Sequence, residues 1–210
     1  MKKTKKFIKN NLKTIILVTI TTLLFILLSY AVSSNKTNYI DALIHSYLID
    51  IRNNNLTSIL LFITNLGGAT FLIILSTILF IITKKKKIPL YIFMNLTCAF
   101  LTNEITKSIF TRSRPIGINL IDETGFSYPS GHSMVSLSFY GFITYLLLKN
   151  CKNNLIKTII IISSIILISL VGFSRIYLGV HYLSDVIGGF LLATIYLNLY
   201  INIIKLEKKW

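Results

Sequence analysis

The sequence predicts an all-α, polytopic membrane protein built as a bundle of six transmembrane helices. Three observations predict it. Of 210 residues, 53% are hydrophobic and only 14% are charged, a combination that few soluble domains show. The apolar residues fall in runs of about twenty, the length a helix needs to cross a bilayer. The formal net charge of +15 comes largely from short lysine clusters set between those runs. Such placement argues against nucleic acid as the partner, because a nucleic-acid binder gathers its basic residues on one face or stripe.

Lys2, Lys3, Lys5, Lys6, Lys9 and Lys13 accompany the start of an apolar run over residues 12–32. Ala31-Val32-Ser33 would pass as a signal-peptide cleavage region, but the run is long for a signal core, so residues 1–37 read as a basic N-terminus and a first span. Over residues 38–51, Ile40, Leu43, Ile44, Tyr47, Leu48 and Ile51 recur at helical spacing. That predicts a short amphipathic helix lying in the membrane interface, with His45 on its polar face and Asp41 one turn away. A second span is expected over 56–83, with Gly67-Gly68 permitting close helix contact. Lysines 84–87 end it. The third span, 88–110, carries Asn103, Glu104 and Lys107 in its second half. A polar connection over 111–128 leads to a fourth span at 129–148. The fifth covers 155–173 and the sixth 181–204, where Gly188, Gly189 and Ala193 suit helix packing. Residues 38–204 form the core unit and 205–210 a basic tail. Cys98 and Cys151 have neither metal-site spacing nor the setting of a disulfide.

Six spans put both termini on one side. Sixteen of the 22 basic residues then lie on that side, which the positive-inside rule makes cytoplasmic. The other six are Lys36, Arg52, Lys107, Arg112, Arg114 and Arg175. Four of them crowd into 107–114 and Arg175, as a binding site would require.

Three polar segments fall at the extracytoplasmic ends of spans three to six. The first runs over 107–115 and holds Lys107, Arg114 and Pro115. The second is Tyr128-Pro129-Ser130-Gly131-His132-Ser133. The third holds Ser174, Arg175, His181 and Asp185. Three permanent cations can neutralise a phosphate, and phosphoryl transfer is catalysed mainly by positioning and by charge on the equatorial oxygens. Ser130 and Gly131 follow a proline at a helix start, where free N–H groups form an anion site. His132 is placed to protonate a leaving oxygen. His181 and Asp185, four residues apart, share a helix face. The carboxylate can hold one ring nitrogen while the other attacks phosphorus.

Lys-x6-Arg-Pro at Lys107, Arg114 and Pro115, Pro-Ser-Gly-His at 129–132, and Ser-Arg-x5-His-x3-Asp at Ser174, Arg175, His181 and Asp185 resemble the three-part signature of the type 2 phosphatidic acid phosphatase superfamily. Bacterial phosphatidylglycerophosphatase B-like and undecaprenyl-pyrophosphate phosphatases belong to it. The resemblance covers residues 38–204 and fills every motif position. It implies a lipid phosphatase working without metal or cofactor. His181 would be the nucleophile forming a phosphohistidine, assisted by Asp185, and His132 the general acid. Lys107, Arg114, Ser130, Gly131 and Arg175 would bind phosphate. The partner is then a lipid bearing a phosphate or diphosphate at the outer leaflet: undecaprenyl diphosphate, phosphatidylglycerol phosphate or phosphatidic acid. With an alcohol in place of water the same site makes a lipid phosphotransferase, and without chemistry it makes a lipid- or anion-binding protein. Soluble haloperoxidases share the signature but not the apolar spans. Outside the motifs, Arg112 is expected in a lipid-headgroup patch, Glu104 in an ion pair with Lys107, and Asp122 and Glu123 in a solvated loop.

Overall fold

Eight helices form the described chain: α1 (Lys2–Ser33), α2 (Asn38–Asp50), α3 (Asn54–Leu66), α4 (Ala69–Ile82), α5 (Lys87–Phe110), α6 (Gly131–Asn150), α7 (Asn154–Tyr177) and α8 (Leu183–Leu206). The computed structural model describes residues 2–84 and 87–206, with side chains from 12 to 84 and 87 to 205. The side chains of Lys2 to Lys9, together with Lys85, Lys86, Lys208 and Lys209 of the expected basic clusters, lie outside the described residues.

Five stretches are long and apolar enough to cross a bilayer: Leu12–Ser33, Lys87–Phe110, Gly131–Asn150, Asn154–Tyr177 and Leu183–Lys205. The sixth differs from expectation. In place of one continuous helix over 56–83, α3 and α4 meet at a 50° bend. The break falls at Gly67-Gly68, where two poor helix formers in succession leave the helical ladder weak. Packing needs the first of them, since a Cβ on Gly67 would stand 2.3 Å from Val171 Cγ1 of α7.

α6 lies at the centre, packed by α5, α7 and α8; α1 packs on α8, α3 on α7 and α4 on α5. One apolar cluster joins Leu72, Ile92, Leu96, Phe139, Phe142 and Ile204. A second joins Leu48, Leu60, Ile176, Leu178, Val180 and Val186 beside the convergent helix ends. Apolar burial separates no helix from lipid, so polar bonds between helices add specificity. Tyr140 donates to Leu66 O at 2.7 Å, Tyr196 to Asn95 O at 2.9 Å, and Asn95 Nδ2 to Ser138 O at 2.8 Å.

α2 is helical as expected, but its polar side faces inward. Asp41 and His45 are buried, while Tyr39, Ile40, Leu43 and Tyr47 are exposed. The helix turns this way because Ser184 of α8 and Arg112 offer Asp41 hydrogen-bond partners, and the His181 carbonyl offers one to His45, that they would otherwise have to find in water.

Candidate active site

The ends of α5, α7 and the starts of α6 and α8 converge, and the 111–130 connection closes over them. Leu120 N bonds Leu178 O at 2.9 Å and Ser127 N bonds Arg112 O at 2.8 Å. The start of α6 is tied to α8 by Ser130 N, which donates to Asp185 O at 2.9 Å. Close approach is possible because Gly189 faces Ser130 O; a Cβ there would lie 2.6 Å from that oxygen. Likewise a Cβ on Gly131 would meet Asn103 Oδ1 at 3.0 Å and Lys107 Nζ at 3.8 Å.

A cavity of about 290 Å³ opens among these ends, and Lys107, Arg114, Glu123, Gly131 and His132 all line it. Its far wall is the α3–α4 bend: Gly67 and Ala69 line it too, and a Cβ on Gly68 would lie 3.8 Å from His132 Nε2. The first two polar segments line this cavity; the third does not, but adjoins them through Arg114, beside His181, and through the Ser130 N to Asp185 O bond. Lys107 is paired with Glu104 at 3.6 Å, the expected ion pair.

His181 is fully enclosed, and its ring is held from both sides. Arg114 Nη1 lies 3.1 Å from His181 Nε2. A guanidinium nitrogen can only donate, so Nε2 accepts and carries a lone pair. The proton then sits on Nδ1, which faces Ser127 Oγ at 3.3 Å and Asp185 Oδ2 at 3.5 Å. Ser127 in turn donates to Asp185 Oδ2, which also accepts from Tyr182 N at 2.8 Å. Burial, and after it the charges of Arg175 and Arg114, push the His181 pKa down to about 4 against the pull of Asp185. At neutral pH the imidazole is therefore uncharged.

Arg175 is 1% exposed. Nη1 donates to Thr64 Oγ1 of α3 at 2.7 Å and Nη2 to Glu123 Oε1. Its Nε has no hydrogen-bond partner among the described residues. Arg114 Nη2 stands 3.9 Å from Glu123 Oε2. Glu123 is thus not a solvated loop residue, because two guanidinium groups draw it in. Burial raises its pKa, and the combined opposing pull of Arg175, Arg114 and His181 leaves it lowered.

Ser130 is buried at the start of α6 and acts as its N-cap: Oγ accepts from Ser133 N at 3.5 Å and from Ser133 Oγ at 3.0 Å. Gly131 and His132 follow in the first turn, where backbone N–H groups have no helical partner. Arg112 lies in no lipid-headgroup patch. It bridges Asp41 and Asp185 at 2.8 and 2.6 Å. Reading the sequence did not single out Ser127, Thr64 or Asp41 as parts of this site. The one available signal was the Asp41–His45 spacing on α2.

Residues 88–209 match the model of the PAP2 superfamily. The chain is 35% identical over 176 residues to phosphatidylglycerophosphatase B of Bacillus subtilis (strain 168), covering 81% of this chain and 86% of that protein. It is 29% identical over 147 residues to an undecaprenyl-diphosphatase of Sulfolobus acidocaldarius, with 66% of each covered. The crystal structure of the first transmembrane PAP2 type phosphatidylglycerolphosphate phosphatase from Bacillus subtilis is similar with a TM-score of 0.84 and 31% identity, over 92% of this chain and 98% of that one. This chain belongs to the PAP2 superfamily. Within it, the chain is a multi-pass membrane protein of the phosphatase class.

Proposed function

We propose that this membrane lipid phosphatase removes a terminal phosphate from a lipid phosphate or diphosphate at the extracytoplasmic face, through a phosphohistidine on His181. The observation that carries the reading is the ring of His181: Nε2 has its lone pair beside Arg114, and Nδ1–H faces Ser127 and Asp185. In the first step Nε2 forms a bond to phosphorus, and the bond from phosphorus to the lipid oxygen breaks. His132 donates the proton that oxygen needs. The imidazolium formed is stabilised by Asp185. Water then attacks the phosphohistidine, giving up a proton to His132, and the N–P bond breaks to release phosphate and neutral His181.

Lys107, Arg114 and Arg175, with the first-turn N–H groups of Gly131 and His132, hold the phosphoryl oxygens, while the Ser130 N–H is already given to Asp185 O. The unpartnered Nε of Arg175 supports this, because a buried donor needs an acceptor and an anion provides one. Lys107 and Arg114 line the cavity and Arg175 reaches it through Glu123, an excess of positive charge that repels a metal ion and attracts a phosphate, so the proposed reaction calls for no metal. General acid catalysis by His132 supplies about 10²–10⁴-fold. The larger share must come from the cationic clamp and from orientation.

The relatives direct the choice of substrate. One is named a phosphatidylglycerophosphatase and another an undecaprenyl-diphosphatase, so phosphatidylglycerol phosphate and undecaprenyl diphosphate lead the panel, with phosphatidic acid third. The test is phosphate release by purified protein from these lipids, with EDTA present. Wild type is expected to stay active in EDTA, and a folded His181→Ala protein is expected to lose turnover. Full activity in that variant would sink the mechanism. Little free phosphate together with a phosphorylated added alcohol would make the enzyme a transferase instead.

A further inference from the structure

Arg112 is a cation that the phosphate cavity does not use. Its side chain is 12% exposed and lies between two carboxylates, Asp41 at 1% and Asp185 at 0%. Nη1 donates to Asp185 Oδ1 at 2.6 Å and to Ser184 Oγ at 2.7 Å. Nη2 donates to Asp41 Oδ2 at 2.8 Å and faces Thr37 Oγ1 at 3.4 Å. The guanidinium carbon sits 4.1 Å over the Tyr182 ring. Asp41 continues the chain of contacts, accepting from Ser184 N at 3.0 Å and from Ser184 Oγ at 2.6 Å. One turn further along α2, His45 Nε2 donates to His181 O at 3.2 Å.

We propose that Arg112, fixed by Asp41, is a positioning residue for the His181–Asp185 pair, so that α2 forms the rear wall of the nucleophile. This rests on the phosphohistidine reading of His181 above. A carboxylate has two oxygens, and Asp185 must turn Oδ2 toward His181 Nδ1. Arg112 holds Oδ1 on the opposite side, which fixes the plane of the group. Asp41 prevents Arg112 from following substrate phosphate into the cavity. Two buried carboxylates this close also require a cation between them. The planar fork serves each with its own nitrogen, Nη1 on Asp185 and Nη2 on Asp41, whereas a lysine has a single nitrogen to share.

The test compares Arg112→Gln, Arg112→Lys, Asp41→Asn and the Asp41→Asn/Arg112→Gln pair in purified protein. Four quantities are read: kcat per folded molecule, KM, the Ki of inorganic phosphate, and acid-labile label from a ³²P-lipid. Arg112→Gln is expected to lower kcat on the order of 10–100-fold, the scale on which outer partners of an oriented histidine act in metal sites. KM and the phosphate Ki should stay as in wild type. Arg112→Lys, reaching one carboxylate, should fall between the two. The pair should be no slower than Arg112→Gln alone, because both changes break one unit.

A rise in phosphate Ki matching the fall in kcat would overturn the proposal by placing Arg112 in phosphate binding. So would a kcat per folded molecule equal to wild type beside a lowered Tm, which marks a merely structural role. Should Arg112→Gln fail to fold, the near-isosteric Asp41→Asn carries the same split. Wild type without acid-labile label would overturn the phosphohistidine reading and this proposal together. Label in wild type with unaltered variants would overturn this proposal alone.

Discussion

Glu123 sits on two of the three cations proposed to bind phosphate, bonded to Arg175 and 3.9 Å from Arg114. Its carboxylate supplies the negative charge that a buried arginine requires. An incoming phosphate must displace it or share its partners. Glu123→Gln removes the competing charge and keeps the shape. The Ki of inorganic phosphate should therefore fall, by about tenfold if the exchange is worth about 1.4 kcal/mol. Competitive inhibition of lipid hydrolysis measures it, and an unchanged or raised Ki would show that Glu123 assists phosphate instead of opposing it. The sequence offered no sign of this pairing. Glu123 and Arg175 are 52 residues apart, and an acidic residue in a polar connection reads as solvated until something buried claims it. Ser127 was hidden for a related reason: a serine two residues before Pro129 carries no signal, yet it bridges His181 and Asp185. The motif residues themselves were legible because their chemistry and spacing are local.

At the scale of elements, the site depends on how closely α6 and α8 approach. Gly189 would place a Cβ 2.6 Å from the Ser130 carbonyl, which is backbone and cannot rotate away. Gly141 would place one 2.8 Å from Leu197 Cδ2, the tip of a flexible side chain. Gly189→Ala should therefore destabilise by about 1–3 kcal/mol, as overpacking does, and should cut kcat by shifting the start of α6. Gly141→Ala should do less on both counts. Thermal melting in detergent and phosphate release compare the two, and equal losses would refute the contrast. The α3–α4 break belongs to this scale too. Hydropathy reads residues 56–83 as one apolar run, and nothing in that average reveals that Gly67 fits against Val171 while the bend lines the cavity.

For the molecule as a whole, the proposed orientation follows from lysine placement: termini and the 151–153 loop inside, the 111–130 connection outside. Ile116 is 90% exposed in that connection, and Cys151 lies in the loop between α6 and α7. In a Cys98→Ser/Cys151→Ser background, Ile116→Cys should react with a membrane-impermeant maleimide in intact cells. Native Cys151, with Cys98→Ser, should react only after permeabilisation. The reverse pattern would invert the orientation.

The sequence alone determined where the chain is apolar enough to span, where cations gather, and which three segments are proposed to carry the phosphate chemistry. Each of these is a local property, read from composition or from spacing along a short stretch of chain, although His181 proves to lie in the turn ahead of α8 and not on one helix face with Asp185. The tertiary structure alone decided that α2 turns its polar side inward, that the second span breaks, that Arg112 and Ser127 contact Asp185, and that Glu123 contacts Arg175. Those contacts join residues 52 to 143 positions apart. They exist because packing removes water from charged groups, and a carboxylate or guanidinium deprived of water must take whatever partner the fold brings to it.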